Sequence, residues 1–437
     1  MLFYISFLRP PLASSSLASP VSFTPQIAND LRTDLFHGQQ DLFYSWNHGR
    51  PVKLTTWRQS NAYKEISVPP PAGVRDGQSY RLILTANLIP YVDLANLNSV
   101  PLPVMSVPIL FTSKPGTKTK QEQIERMYRF PIHDKTLVSM KITEQTSFDL
   151  DKKIWDSGIG LSSWLSNLPN LTDPLLNRLK DALFSTEPRN IVELGAGTGI
   201  VAITIGALRA GILGSISESE SNSSRDGEDE NNSNIEGGSI FTTDLPSAIP
   251  LLQHNISSNA HLFRRPSPSS PQTNSSPSPS TSDLKPLPGC TPTPLVLDWD
   301  SAPDLPPEIT EPKTSSRTKL DLIVMADVTY NTSSFPSLVR TIRSLVARTC
   351  KLPEFSSSKD AGEEHWYPTI LVGYKQRDPG ERELFGMLEE AFSSTSSGAV
   401  KIKLTKVGEV PGASSKLESG EGRGPVEIWL GEVVALT

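Results

Sequence analysis

The chain has 437 residues, of which 37% are apolar and 38 are proline, and its formal net charge is −6. Serine and proline are concentrated in a few stretches, so the rest of the chain is apolar enough to form an ordinary core. The acidic balance gives no electrostatic reason to expect nucleic acid or an anionic membrane as a partner, and it favours a basic protein. Two cysteines exclude a disulfide framework and a cysteine-based zinc site.

Residues 1–22 are predicted to form a disordered leader. They open with apolar residues, continue with Ser and Pro, and contain Arg9 as their single basic residue, which makes them a poor signal peptide. The two cysteines suit a reducing compartment and predict a cytoplasmic location, with the nucleus and mitochondrial import as alternatives. No run approaches the ~18 apolar residues that span a bilayer, so no membrane association is expected.

Residues 23–124 contain short apolar runs broken by Pro and Gly, and the runs that begin at Ser79 and Val104 are typical of strands. These features predict a small N-terminal β-rich region of unknown role. From residue 125 a hairpin is followed by alternating strands and helices, the pattern of a parallel α/β sheet. The predicted strands of this sheet begin at Asn190, Ser239, Pro294, Leu320, Thr369, Val400 and Val426.

One predicted helix of this region begins at Ile200 and ends at Gly211. Three insertions interrupt the alternation, near 215–238, 264–289 and 412–424, and their acidic, Ser-Pro or Gly-rich composition predicts disorder. Each insertion falls between elements, where a long loop costs little.

The strongest local motif joins the strand at 190–194 to the helix at 200 through Gly195, Gly197 and Gly199. Glycines allow a sharp turn and a close approach of a ligand to a helix N-terminus. A dinucleotide fold is one alternative, but Ile200 stands where its third glycine would be. A packing turn without a ligand is the other alternative.

Polar and aromatic residues follow the next two strands. Asp244 ends the second strand, where a carboxylate can accept both hydroxyls of a ribose. Trp299 follows the third strand, where an indole could form one face of an adenine pocket. The alternatives are a turn or capping role for Asp244 and edge packing for Trp299.

Asp327 and Tyr330 follow the fourth strand, next to the switch point at which ligands bind in a doubly wound sheet. An acid and a phenol three residues apart could orient an amine nucleophile there, and a capping acid with a core tyrosine is the alternative. Upstream, Trp155 followed by small residues suits a lid across a cofactor, and the alternative is a helix N-cap at Ser157 with a core Trp.

Taken together and in their order along the chain, these motifs resemble those of the seven-strand protein-lysine methyltransferases, also called methyltransferase family 16. The motifs of that family are a Trp followed by an acid, an E-L-G-x-G-x-G loop, T-D, L-x-W and D-x-x-Y. The chain carries them at 154–156, 193–199, 243–244, 297–299 and 327–330, followed by Tyr374-Lys375-Gln376-Arg377 and Glu381-Arg382-Glu383-Leu384-Phe385. The glycine loop is common to all class I methyltransferases, whereas the ordered set with D-x-x-Y is more specific.

The resemblance covers about residues 125–437 and implies a Rossmann-like, seven-strand, mostly parallel sheet. Its last strand would be antiparallel, with helices on both faces. It implies S-adenosyl-L-methionine as cofactor and no metal. The implied cofactor-binding residues are Trp155, Glu193, Gly195, Ala196, Gly197, Gly199, Asp244, Trp299 and Ala326. Asp327 and Tyr330 would face the lysine of a protein substrate, and a monomer is the family default.

The implied reaction is an in-line methyl transfer from a sulfonium to a neutral amine, with positioning as the main source of rate. The amine must lose a proton, since the reference pKa of lysine is about 10.4. We hypothesise that Asp327 orients the amine and Tyr330 shapes its access; no general base is identified. The alternatives are a methyltransferase of small nicotinamide-like amines and a non-catalytic scaffold. Nucleic acid methylation is disfavoured by the charge and by Asp327-Val-Thr-Tyr330 in place of an Asn/Asp-Pro-Pro-Tyr motif.

Overall fold

The computed structural model describes residues 1–98, 100–114, 116, 119–147, 149–221, 237–264, 286–300, 305–311, 319–349, 367–393, 400–412 and 424–435. The chain divides into two compact units. The first comprises Met1–Phe130, Ser139–Asp156 and Pro411–Pro425, and the second comprises Pro131–Val138, Ser157–Val410 and Val426–Thr437.

The first unit is built from strands. They are β1 (Tyr4–Arg9), β2 (Ser14–Ser15), β3 (Val21–Ala28), β4 (Gln40–Trp46), β5 (Val52–Trp57), β6 (Ile66–Val68), β7 (Gln78–Tyr80), β8 (Leu82–Thr85), β9 (Val92–Asp93), β10 (Val104–Ser106), β11 (Ile109–Phe111), β12 (Gln123–Pro131) and β13 (Leu137–Gln145). The largest sheet has the order β13-β12-β10-β8-β4-β5, with β9 beside β12. Smaller sheets have the orders β1-β3-β6 and β2-β11-β7. The β-rich character predicted for residues 23–124 is confirmed.

The predicted disordered leader is wrong. Strand β1 pairs antiparallel with β3, and Ile5 and Phe7 are buried in the same apolar cluster as Phe23 and Leu84. The side chains of the small β1-β3-β6 sheet therefore pack with those of the large sheet in one core. A short strand flanked by Ser and Pro looks like a leader in the sequence because its partner strand lies more than ten residues away.

The predicted domain boundary at residue 125 is also displaced. The hairpin of β12 and β13 was assigned to the α/β region, but these strands form one edge of the largest sheet of the first unit. A buried ion pair joins them, with Arg126 Nε 2.7 Å from Glu144 Oε1. Alternating buried and exposed residues indicate antiparallel strands but do not tell which sheet the strands join. The sequence pattern therefore could not assign this hairpin to one unit or the other.

The second unit alternates strands and helices. Its helices are α1 (Asp156–Asn167), α2 (Asn177–Phe184), α3 (Ile200–Ser221), α4 (Ile249–Ser258), α5 (Pro307–Thr310), α6 (Phe335–Thr349) and α7 (Glu383–Ser393). Its strands are β14 (Asn190–Leu194), β15 (Ser239–Asp244), β16 (Pro292–Val296), β17 (Leu322–Ala326), β18 (Thr369–Tyr374), β19 (Val400–Val410) and β20 (Val426–Ala435).

These strands form one sheet of order β16-β15-β14-β17-β18-β20-β19. Strands β14 to β18 run parallel to one another, and the last strand, β20, runs antiparallel to both β18 and β19. The predicted mostly parallel, seven-strand, Rossmann-like sheet is confirmed. Strand order reverses at β14 and β17, and the carboxyl ends of these two strands therefore flank the switch point of the sheet.

Helices cover both faces of the sheet. Val192 and Leu194 of β14 belong to the apolar cluster that includes Leu338 of α6 and Leu388 of α7. Side chains alternate across a strand, so Glu193 points to the opposite face, and there its carboxylate meets the first turn of α3. Strands β14, β17 and β18 are buried along nearly their whole length because helices cover both faces of the sheet.

Helix α3 continues ten residues past its predicted end at Gly211. Gly211 lies within the helix and does not end it. A Cβ at this position would lie 3.1 Å from Ile132 and from the His133 backbone, so the glycine allows close packing there. The first predicted insertion therefore begins inside a helix. Most of the three insertions, at 222–236, 265–285 and 413–423, lies outside the described residues.

Candidate cofactor and substrate site

The turn between β14 and α3 is strained in the way that only glycine tolerates well. Gly195, Gly197 and Gly199 have φ values of 67°, 54° and 78°, in the left-handed region that disfavours other residues. The Ala196 N–H donates to the Thr243 carbonyl at 3.0 Å, which ties the turn to the end of β15. The turn is therefore fixed by backbone bonds before any ligand arrives.

Two of these glycines serve different purposes. A Cβ at Gly199 would lie 2.4 Å from Leu252 Cδ1, so this glycine lets α4 pack against the turn. A Cβ at Gly195 would lie 3.0 Å from Val328 and 3.3 Å from the Trp299 ring. Gly195 therefore leaves the backbone open beside an aromatic ring at the switch point.

Asp244 lies at the carboxyl end of β15, directly beside the glycine turn. Its Oδ2 accepts the Gly197 N–H at 2.6 Å, and its Oδ1 accepts the Leu245 N–H at 2.7 Å. The carboxylate is half-buried. Each carboxylate oxygen has about two acceptor sites, so a turn role and acceptance of ribose hydroxyls are compatible.

Trp299 lies in the turn after β16 and is half-buried, with its ring beside Gly195. The indole Nε1 is buried and has no hydrogen-bond partner among the described residues. A buried donor of this kind is costly unless an acceptor reaches it. Together with the open backbone at Gly195, this orphaned donor fits a ligand that offers a flat ring and hydrogen-bond acceptors, as an adenosine does.

Glu193 is placed behind the turn. Its side chain is buried, and its Oε2 accepts a hydrogen bond from Thr242 Oγ1 at 2.6 Å. Burial raises the pKa of Glu193 to about 8, the charge of Asp244 adds to the rise, and the bond from Thr242 opposes it. The residue therefore supports the strand ends beneath the turn.

Asp327 follows β17 in a left-handed backbone conformation, with φ of 58°. It is buried, and its carboxylate forms a two-point ion pair with the guanidinium of Arg377. The Ser157 N–H, at the start of α1, donates to Asp327 Oδ2 at 3.3 Å. A non-glycine residue with positive φ at a ligand-binding edge is a mark of a functional site.

Tyr330 and Ala326 flank Asp327. Ala326 is the last residue of β17, is half-buried and pairs with Gly373 of β18. The Tyr330 side chain is 57% exposed. The candidate substrate pair thus consists of one buried carboxylate and one accessible phenol at the same edge of the sheet.

Trp155 belongs to the first unit, where its indole N–H donates to the Leu150 carbonyl at 3.0 Å. The neighbouring Asp156 is buried, and its carboxylate accepts the Leu2 N–H at 2.8 Å and the Tyr4 hydroxyl at 2.6 Å. The segment that begins at Trp155 is therefore held at Asp156 by hydrogen bonds from Leu2 and Tyr4.

Arg377 and Glu381 were not assigned roles from the sequence. The Arg377 N–H donates to Glu381 Oε2 at 3.0 Å. Burial raises the pKa of the Glu381 carboxyl, and its bonds to the Arg377 region oppose that rise. A signal was present: Arg377 follows the fifth strand, adjacent to the fourth, and the carboxyl ends of neighbouring parallel strands meet at one edge.

Within the described part of the chain, no group of three or more His, Cys, Asp or Glu side chains is arranged to hold a metal ion. None of the described helices is both long enough and apolar enough to cross a bilayer.

A family model described as lysine methyltransferase matches residues 134–267 and 294–391, more than half of the chain. No curated protein matches. Among solved structures, the chain is similar to magnesium protoporphyrin IX methyltransferase from Synechocystis PCC 6803, with 9% identity over 58% of this chain and 78% of that chain and a TM-score of 0.24.

Two other similar structures are also methyltransferases by name. Precorrin-6y C5,15-methyltransferase from Geobacter metallireducens GS-15 has 12% identity over 60% of this chain and 90% of that chain, with a TM-score of 0.26. Human N-acetylserotonin methyltransferase in complex with SAM has 13% identity over 63% of this chain and 54% of that chain, also with a TM-score of 0.26.

Proposed function

The chain belongs to the lysine methyltransferase family, and from that premise we propose that it methylates the side-chain amine of a lysine in a protein. It is a methyltransferase, and S-adenosyl-L-methionine is its methyl donor. The observation that carries the substrate proposal is the buried Asp327 carboxylate beside the exposed Tyr330. Together they offer an acceptor oxygen and an aromatic surface to an incoming amine.

The residues at the glycine turn fit the cofactor. Gly195 gives access to the backbone, Trp299 offers a ring and an unsatisfied N–H, and the Asp244 carboxylate has acceptor capacity for ribose hydroxyls. These residues, with Ala196, Gly197 and Ala326, would hold the cofactor at the switch point. When bound, S-adenosylmethionine supplies a methyl group on a positively charged sulfur, which is a strong electrophile.

The chain contributes position and charge to the transfer. Asp327 lies at the end of β17, the strand next to the glycine turn, so its carboxylate can orient an amine at the same sheet edge. A lysine ammonium must lose its proton before its nitrogen can accept a methyl group. A carboxylate that attracts the ammonium and aligns the neutral amine supplies the orientation on which such a reaction depends.

The partner proposed here is a lysine-bearing protein, with the enzyme acting as a monomer. The net charge of −6 supports a basic protein segment as substrate. A free nicotinamide-like amine would present the same nitrogen to Asp327, so cofactor binding alone does not distinguish the two substrate classes.

The test is transfer of radiolabelled methyl groups from S-adenosylmethionine into the proteins of a cell lysate. Wild type is expected to label protein bands that mass spectrometry maps to lysine. Asp327→Asn keeps the size of the side chain and tolerates the left-handed backbone, and it should lower the rate by about 100-fold through loss of charge. Calorimetric binding of the cofactor to the variant shows that it is folded.

Asp181→Asn is the matched control, because Asp181 is a half-exposed acid on α2 and its substitution should leave the rate unchanged. Label in nicotinamide-like amines with none in protein would overturn the protein-lysine proposal. Full activity of Asp327→Asn on a mapped lysine would remove Asp327 from the substrate site.

A further inference from the structure

The Asp327 carboxylate is held by the guanidinium of Arg377 at both oxygens. Arg377 Nη2 donates to Oδ2 at 2.9 Å, and Nη1 donates to Oδ1. The side chains of Arg377 and Asp327 are only 11% and 6% exposed. Two parallel charge-assisted bonds fix the plane of a carboxylate, which a single bond does not.

Asp327 is restrained from other directions as well. Its N–H donates to the Gly373 carbonyl at 3.2 Å, and its Oδ2 also accepts the Ser157 N–H. The left-handed φ of Asp327 is an uncommon conformation for a non-glycine residue and persists only when surrounding contacts determine it. Contacts from α1, from β18 and from the segment after β18 thus converge on one side chain.

Arg377 is itself anchored in a short closed turn. Its N–H donates to Glu381 Oε2 at 3.0 Å, and Glu381 is buried. Asp378 caps the same turn by accepting the Gly380 N–H at 2.8 Å. The guanidinium is therefore presented from a rigid backbone, and the geometry of the ion pair is determined before any substrate binds.

We propose that Arg377 is the positioning residue for Asp327 in the methyl transfer, an inference that rests on the proposed function. The guanidinium donates to both oxygens and the Ser157 N–H also donates to Oδ2, so the remaining acceptor capacity lies on Oδ1 and sets the direction from which the substrate amine is oriented. In this arrangement Asp327 acts as a fixed anion.

A purely structural tie between the ends of β17 and β18 is the competing explanation. Such a tie would be measured as stability and would affect cofactor binding and turnover together. A positioning role predicts that turnover depends on the planar, two-point shape of the guanidinium. Lysine retains the charge but lacks that shape, so Arg377→Lys separates the two explanations.

The experiment uses the full chain and the protein that wild type labels most strongly. Arg377→Lys is expected to lower kcat by at least about 10-fold, with the cofactor Kd within about twofold and Tm nearly unchanged. Arg377→Ala is expected to lower kcat further, and millimolar guanidinium should restore part of it. Arg382→Ala is the matched control, since Arg382 lies in the same turn but is exposed and pairs with Glu427, and it should retain kcat.

Arg377→Lys with wild-type kcat would overturn the inference. So would a loss of kcat in Arg377→Lys that is accompanied by an equal loss of cofactor affinity and a lowered Tm. If Arg377→Ala does not fold, the lysine variant still decides between the two explanations. Failure of the proposed function is a separate result, because then the wild type itself labels no protein lysine.

Discussion

The indole N–H of Trp299 is a buried donor of the candidate site that has no hydrogen-bond partner among the described residues. If it lines the cofactor pocket, its ring and its N–H should contribute separately to affinity. We predict that Trp299→Ala weakens cofactor binding by roughly 10- to 100-fold, since a lost aromatic contact and hydrogen bond are worth about 1–3 kcal/mol. Trp299→Phe should lose only part of this affinity. Calorimetry checks both variants, and unchanged affinity in Trp299→Ala would place the ring outside the pocket.

Glu193 gives the fold a dependence on pH. Its pKa is about 8 in the folded protein and near 4.5 as a free side chain, so between these values the folded state holds more protons than the unfolded state. Its stabilising contribution is therefore present below pH 4.5, declines as pH rises and is lost through pH 8. We predict that Glu193→Gln flattens the decline of Tm between pH 6 and pH 9.

The pKa shift of Glu193 sets the size of the expected change in Tm. About two of the shifted pKa units lie between pH 6 and pH 8, and at about 1.4 kcal/mol per unit they correspond to roughly 3 kcal/mol. At roughly 2–4 °C per kcal/mol in a domain of this size, the Tm of wild type should fall by about 6–12 °C relative to Glu193→Gln over this pH range. Thermal unfolding of both proteins at matched pH values measures it. Parallel Tm curves for wild type and Glu193→Gln would show that Glu193 does not titrate in this range.

At the scale of elements, burial of β1 implies that substitutions in this strand change stability, which a disordered leader would not do. Ile5 is fully buried in the core of the first unit, and its N–H donates to the Leu102 carbonyl at 2.9 Å. Ile5→Ala should lower the free energy of unfolding by about 2–5 kcal/mol through lost burial and a cavity. Leu8→Ala, at an exposed position of the same strand, should change it by less than about 0.5 kcal/mol. Chemical denaturation that shows both substitutions to be neutral would contradict the role of β1.

The contrast between β1 and β14 shows what local sequence can predict. The strand at Asn190–Leu194 was predicted correctly because a buried parallel strand is a continuous apolar run between turn signals. The placement of Asp244 beside the glycine turn also follows from sequence, since neighbouring parallel strands end at one edge. The same rule brings Arg377 and Asp327 to one edge, but their two-point ion pair could not be predicted, because its geometry depends on the register of β17 and β18 and on the turn after β18.

At the scale of the whole molecule, the family match begins at residue 134, inside the hairpin of β12 and β13. Strand β13 belongs to the largest sheet of the first unit, where its only described neighbour in the strand order is β12. A fragment cut at the start of the match would therefore keep β13 without its partner. It would also expose the buried side chains of Met140 and Ile142.

We predict that a fragment of residues 134–437 is less stable than the full chain and aggregates on purification. The fragment loses the pairing of β13 with β12 and the Arg126–Glu144 ion pair, and the unpaired apolar edge of β13 promotes association. Size-exclusion chromatography and thermal unfolding measure both effects. A monomeric fragment with the Tm and cofactor affinity of the full chain would show that the methyltransferase fold is independent of the first unit.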